Sequence, residues 1–318
     1  MRTVCLGLLL LCSTPLWGLN IVLTNDDGFE TANIQFLYRA LREAGHDVVM
    51  SAPYSGQSGT GGQITIMRPI GPTAEASPDG VLPAGSPGVG ETGMGAQQYY
   101  VDGSPAMALL YGIDVLAQRT WGQAPDLVIS GPNEGNNLGI VTPHSGTLGA
   151  TVTALNKGLP AIAVSAANGD PDQAVLVSNL VVKLLGVLTV NDGLTLPGGV
   201  GLNVNTPEID VSTTKLSDMQ FRFTQIGGAT RYGLQFFEKL GESEFATREG
   251  VPAELALPGL SVGVPPSSAG YPEDSAADSE SRVLSERTVT ISPIQGTYAA
   301  DSKVAEAVRA LLGSAVDG

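Results

Sequence analysis

Cysteine is almost missing from this chain. Among 318 residues only Cys5 and Cys12 occur, both close to the start. Once the first residues are removed no thiol is left, which excludes disulfides and thiolate metal sites. Positive charge is scarce too. Lys and Arg number 16 against 31 Asp and Glu, giving a net charge of -15 and a pI near 4.4. Such a surface repels polyanions at long range, so no nucleic-acid polymer is expected as a partner. A small phosphate ligand remains compatible with it, because a bound cation reverses the local field. Long apolar runs are lacking as well. Residues 4–12 form a run of only nine, and a bilayer span takes roughly 20. No membrane partner is therefore expected after this segment.

What is present is apolar mass and glycine. Apolar residues make up 42% of the chain and charged residues 15%, enough for one large domain or two small ones. The first 18 residues stand apart. Arg2 precedes the apolar run, and Ser13-Thr14-Pro15 and Leu16-Trp17-Gly18 follow. This matches a secretory signal peptide, so export to a periplasm or the exterior is expected. An extra N-terminal helix on a cytoplasmic protein is the alternative.

Residues 20–28 read NIVLTNDDG. Ile21, Val22 and Leu23 form a run of β-formers that stops at small polar residues, the pattern of a buried parallel strand. In open α/β sheets the ligand sits past the carboxyl ends of the strands. The adjacent Asp26 and Asp27 there invite a divalent cation, although an Asp that caps the next helix is the simpler reading. Ile34, Leu37, Tyr38 and Leu41 follow helical spacing over residues 31–44, and Gly45 ends that helix. Val48-Val49-Met50 makes a second strand, so the opening is βαβ. His46, in the turn between, reads as structural. Further strands are expected over residues 63–67, 99–101, 126–129, 161–165 and 201–205. Helices open at Ser104-Pro105, after His144 and at Asp170-Pro171.

Residues 69–97 lack apolar periodicity and are expected to be an extended, partly disordered insertion. Beyond Pro207 the rhythm fades. Isolated strands near 221–225 and 234–237, a strand over 288–291, a helix over 304–312 and a Pro/Gly/Ser-rich stretch over 250–281 suggest an appendage suited to oligomer contacts.

Three strand ends carry polar, glycine-rich loops. They supply Asp26 and Asp27, then Ser58, then Asn133. Carboxylates, a hydroxyl and an amide carbonyl suit Mg²⁺ or Mn²⁺ and not the Cys/His sites of zinc or copper. A phosphate on that ion would meet the backbone amides of Gly59, Thr60 and Gly61. It would also meet the helix start at Ser145, Gly146 and Thr147, unless those residues only cap the helix. This is a plan for metal-assisted phosphomonoester hydrolysis.

The strings TNDDG, GHDVVMSAP, SGTGGQIT, VDGSPA, PDLVISGPNEGNNLG and HSGTLGA occur in this order. In order and spacing the chain resembles the SurE family of 5′/3′-nucleotidases. LPAIAVS, GLNVNTP and a C-terminal TVTISPI extend the match. The resemblance implies a Rossmann-like α/β fold, a three-layer αβα sandwich with a mostly parallel sheet. It implies a catalytic core over residues 19–207 and a hairpin extension over 208–318. It further implies one divalent metal per subunit and hydrolysis of nucleoside monophosphates, in a homodimer or homotetramer. The family's metal ligands fall on Asp26, Asp27, Ser58 and Asn133, with the two aspartates catalytic. Asn25 within TNDDG, Asn137 and Ser145 to Thr147 take its substrate side.

Other readings exist. A broad-specificity acid phosphatase would use the same site. A nucleotide-sugar glycosyltransferase would need a second Rossmann unit, for which residues 208–318 show no pattern. A non-catalytic phosphate-binding module would not need the full oxygen-donor set. A haloacid-dehalogenase phosphatase would need a D-x-D pair, and Asn25 stands two before Asp27.

Overall fold

The apolar run after Leu19 forms β1 (Asn20–Thr24), and the helical stripe behind it forms α1 (Ala32–Glu43). β2 (Asp47–Pro53) pairs with β1 in parallel, completing the βαβ opening. The computed structural model describes residues 18–191, 193–227, 233–248, 250–263, 276–300 and 302–312, so residues 1–17 of the expected leader lie outside it. A short β3 (Val89–Glu91) and β4 (Gln98–Val101) follow, then α2 (Pro105–Tyr111), which continues through one π-helical stretch into α3 (Ala117–Trp121). Next come β5 (Leu127–Glu134), α4 (Gly146–Asn156), β6 (Ala161–Ala166) and α5 (Pro171–Leu188). A small hairpin, β7 (Thr189–Val190) with β8 (Gly193–Leu194), leads to β9 (Val200–Asn205). The last third adds β10 (Phe221–Phe223), β11 (Gly233–Phe237), α6 (Glu244–Arg248) and β12 (Gly259–Gly263). It ends in α7 (Glu280–Ser285), β13 (Val289–Gln295) and α8 (Ser302–Leu312).

The main sheet has nine strands in the order β10-β13-β9-β6-β5-β1-β2-β4-β3. From β9 to β4 all neighbours are parallel, while β3 and β13 run against the strands they join. Side-chain alternation on the strands builds two cores. Ile21, Leu23, Leu127, Ile129, Ile162 and Val164 pack with α1 and α5. Val22, Val128 and Ala161 pack with Leu109 of α2 and with Ala150 and Ala154 of α4. Helices thus cover both faces, the arrangement that parallel sheets require, and the α/β three-layer expectation holds. α5 is long and apolar enough to cross a membrane, with a mean hydropathy of 1.4. That corrects the expectation that no second apolar segment of such length exists. Its Val177, Leu180, Val181, Leu184 and Leu185 are buried in the core.

Two further expectations fail for stated reasons. Residues 63–67 form no strand, and Ile64, Ile66 and Met67 are exposed. Their alternation finds no open edge, because β4 already occupies the place beside β2. Residues 69–97 are not a loose insertion. The Glu30 carboxylate accepts hydrogen bonds from Ser77 Oγ (2.6 Å), Asp79 N–H (3.0 Å) and Val81 N–H (3.1 Å). Phe29, Tyr54 and Tyr100 stack as a trio with centroids 5.5–6.2 Å apart. Tyr54 OH donates to Glu75 O at 2.9 Å and Tyr100 OH to Pro87 O at 2.6 Å. β10, expected as an isolated strand, joins the main sheet beside β13, the strand expected near 288–291.

Glu30 is the anchor of this insertion, so Glu30→Ala should free it. Charge-assisted bonds to a carboxylate contribute about 1.5–3 kcal/mol each at most. Limited proteolysis should cut the variant within residues 74–85 while wild type resists, and the melt should fall by a few degrees. Equal resistance of both proteins would show that the aromatic trio alone holds the segment.

Candidate metal and phosphate site

The chain builds outward from β1 through β2 and β4, then returns and builds the other way from β5 through β6 and β9. The strand order therefore reverses between β1 and β5, whose carboxyl ends lie side by side, with Thr24 opposite Ser130. A crevice at such a reversal is where open α/β sheets bind ligands. Asp26 and Asp27 leave β1 at this point, and Asn133 and Glu134 end β5. A register shift against β6 between Ser130 and Asn133 turns the end of β5. Gly131 makes it possible, since its φ is +119° and a Cβ there would lie 2.1 Å from Val164 O.

Asp26 is buried. Its carboxylate accepts from Thr147 Oγ1 at 2.5 Å and from the backbone N–H groups of Gly146 and Thr147. A Cβ on Gly146 would stand 2.7 Å from Asp26 Cβ, so only glycine admits this approach. The N-terminus of α4 was expected to receive a phosphate. It already holds the protein's own anion, which the helix dipole favours. Ser145 caps α4 by accepting from Leu148 N–H at 3.2 Å. Its role as a helix cap, the simpler alternative, is the one observed.

Asp27 accepts from Glu134 N–H at 3.0 Å. Burial comes first among the causes that push its carboxyl up to about 8, followed by the charges of Asp26 and Glu134. Burial also raises Asp26, against the opposing hydrogen bonds from Thr147, and raises Glu134. Among the described residues, no cationic side chain is among the groups acting on either aspartate.

The remaining predicted residues divide. Gln57 N–H donates to Asp26 O at 2.7 Å, which ties the loop after β2 to the end of β1; Ser58, the next residue, is exposed. Asn133 commits Nδ2 to Gly135 O at 2.6 Å, which fixes the orientation of its amide. Asn137 is buried, with Nδ2 on Ser165 Oγ at 2.9 Å and Thr147 Oγ1 at 3.4 Å. Asn25 is fully buried. Its Nδ2 braces the turn through Gly28 O (2.8 Å) and Thr31 Oγ1 (3.3 Å), so it shapes the loop from within. Of the three loop amides expected to cradle phosphate, Thr60 N–H bonds Gln57 O and Gly61 N–H bonds His144 O. His46 Nδ1 accepts from Leu19 N–H at 3.1 Å, the structural role expected of it.

Among the described residues no three His, Cys, Asp or Glu side chains form a ready cage for a metal. The donors here are two carboxylates with neutral oxygens, a set that suits a hydrated Mg²⁺ or Mn²⁺. The buried Asp26 and half-buried Asp27 carboxylates, with unpaired buried oxygens at Thr24, Asn25 and Ser130 on the same strand ends, fit such an ion. Glu134 is the residue that the reading of the sequence missed. Its place directly after Asn133, at the end of a buried strand, was the available signal.

The metal-free chain gives a signed test. Asp27 binds its proton more tightly folded than unfolded. Protonation therefore favours the fold, and this contribution, present below about 4, is lost as pH rises through about 8. Asp27→Asn keeps the acceptor for Glu134 N–H and removes the charge. In EDTA its melting point should exceed that of wild type by a few degrees at pH 8, on the order of 1–3 kcal/mol. The gap should close toward pH 4. A gap independent of pH would show that charge is not its cause.

The chain was then compared with known proteins. The family model "Survival protein SurE" matches residues 21–232. An acid phosphatase of Yarrowia lipolytica is 38% identical over 241 residues, 70% of this chain and 67% of that protein. A 5′-nucleotidase SurE of Desulfitobacterium hafniense is 33% identical over 229 residues, 70% of this chain and 80% of its own length. The crystal structure of the Sure protein from Aquifex aeolicus has a TM-score of 0.65 at 23% identity, covering 92% of this chain and 100% of that one, and shares the fold. A family match over residues 21–232, most of the chain, shows that this protein belongs to the SurE family.

Proposed function

We propose that the chain hydrolyses nucleoside monophosphates to nucleoside and phosphate, using Mg²⁺ or Mn²⁺. It is a phosphomonoesterase of a family that depends on divalent metals. The observation that carries the site assignment is the adjacent pair of carboxylates, Asp26 buried and Asp27 half-buried, at the sheet's reversal point, with no cationic side chain among the described residues acting on them. Asp26, Asp27, Ser58 and Asn133 would hold the ion. When bound, it polarises a phosphoryl oxygen and lowers the pKa of an attacking water. The chain's own groups do the positioning. Thr147 and the α4 amides fix Asp26, and Glu134 N–H fixes Asp27. A cleft of about 390 Å³ beside Gln57, lined also by Gln63, Arg68, Asp102 and Met107, offers room for the nucleoside. A second reading, a phosphatase of broad specificity, draws on the name of the Yarrowia relative.

Exposed apolar residues support assembly into a homodimer or larger. Phe223, Phe236, Leu257 and Leu260 in the last third, and Val304, Val308 and Leu311 of α8, lie open to solvent. The leader at residues 1–18 supports export. Protein recovered from its host should lack Met1 and the apolar run by intact mass, and should scatter light as a dimer or larger at micromolar concentration. Retention of Met1 would remove the export reading, and a monomer would remove the assembly.

Activity provides the main test. Hydrolysis of AMP should vanish in EDTA and return with Mg²⁺ or Mn²⁺, and Asp27→Asn should lower kcat/KM on the order of a thousandfold. Preference for p-nitrophenyl phosphate over every nucleotide would favour the broad reading. Full activity in excess EDTA would place the chemistry elsewhere.

A further inference from the structure

Glu280 is a fully buried carboxylate that the site assignment does not use. It opens α7, in the C-terminal third, yet its bonds lead inward to the site. Oε1 accepts from Gly139 N–H at 2.9 Å. Oε2 accepts from Asn203 Nδ2 at 3.0 Å and from Ser292 Oγ at 3.1 Å. Asn203 Nδ2 also donates to Asn137 O at 3.1 Å, as does Asn205 Nδ2. Asn205 Oδ1 in turn accepts from Asn137 N–H at 2.9 Å. Glu280 thus grips the loop after β5 on both sides of Leu138, at Gly139 directly and at Asn137 through Asn203. From Asn137 the chain of bonds runs through Thr147 Oγ1 to Asp26.

We propose that Glu280 is a positioning residue: through Asn203 it sets the loop that carries Asn137, and so orders the phosphate side of the site. This makes the C-terminal segment part of the working site as well as a surface for assembly. A carboxylate suits the task because three donors converge on it and it offers acceptors only. A glutamine in the same place would turn its own N–H₂ toward one of those donors. The inference rests on the phosphomonoesterase reading, and one arm of its test is independent of turnover.

The variants are Glu280→Gln and Asn203→Ser, with Val283→Ala as a control. Val283 is buried one turn along α7, so its truncation loosens the same helix without touching the bonded chain. Each protein is measured well below its melting point. For Glu280→Gln we expect kcat on AMP to fall about tenfold. Inorganic phosphate should bind about tenfold more weakly to the Mn²⁺-loaded protein by calorimetry, while Mn²⁺ affinity stays within twofold. Asn203→Ser should show the same pattern, and it carries the test if Glu280→Gln does not fold. Val283→Ala should lower the melt and leave kcat and phosphate affinity within twofold. Unchanged phosphate affinity in the folded Glu280→Gln or Asn203→Ser variant would overturn the proposal, as would an equal loss in Val283→Ala. A wild type that binds phosphate but does not hydrolyse AMP would sink the enzymatic reading and still leave the binding arm to judge Glu280.

Discussion

Two neighbouring carboxylates at the end of β1, Asp26 buried and Asp27 half-buried, are the constraint around which the rest is arranged. Burying an ionised carboxylate costs several kcal/mol, and a second one beside it adds repulsion. The protein opposes this with a hydroxyl, two helix amides and a strand amide. Hydrogen bonds to a charged group offset about 1.5–3 kcal/mol each. Burial still prevails, since both carboxyls lie above the ordinary range. Such an arrangement has a reason to persist if a divalent cation completes it.

Topology explains why residues so far apart in sequence meet there. β1 and β5 are adjacent although more than 100 residues separate Asp27 from Glu134, whose amide it accepts. The close approach of α4 to β1 requires Gly146, and the turned end of β5 requires Gly131. Both glycines therefore shape the candidate site through backbone approach alone.

Most of the central fold was legible in the sequence because its signals are local. Apolar runs, helical spacing and capping residues such as Ser104, Ser145 and Asp170 mark the starts of β1, β2, β4, β5, β6 and β9 within a residue, while the short β3, β7 and β8 carry no such signal. Where cohesion is non-local, the reading fails. Residues 69–97 have no periodicity, and they hold together through Glu30 and Tyr54, which precede them in the chain. Residues 63–67 alternate like a strand, but alternation cannot reveal that β4 has taken the partner edge. In the site, the residue types and strand ends could be read, but the partners could not. Nothing local says that the α4 amides face Asp26, or that Glu280, in a Ser- and Asp-rich stretch, is buried.

The partners matter because they change how an anion would be held. The amides of Gly146 and Thr147 serve Asp26, and those of Thr60 and Gly61 serve Gln57 and His144. Little of the protein's own positive potential is left over for a phosphate, in a chain of net charge -15 whose site is lined by acidic groups. A phosphate dianion approaching the metal-free site meets repulsion that backbone dipoles do not offset. A divalent ion between Asp26 and Asp27 reverses that field locally. On the proposed reading, binding is therefore ordered by electrostatics, metal first and phosphate second. The acidic surface that turns away nucleic acids then does not hinder a small nucleotide, whose charge is met at the ion itself.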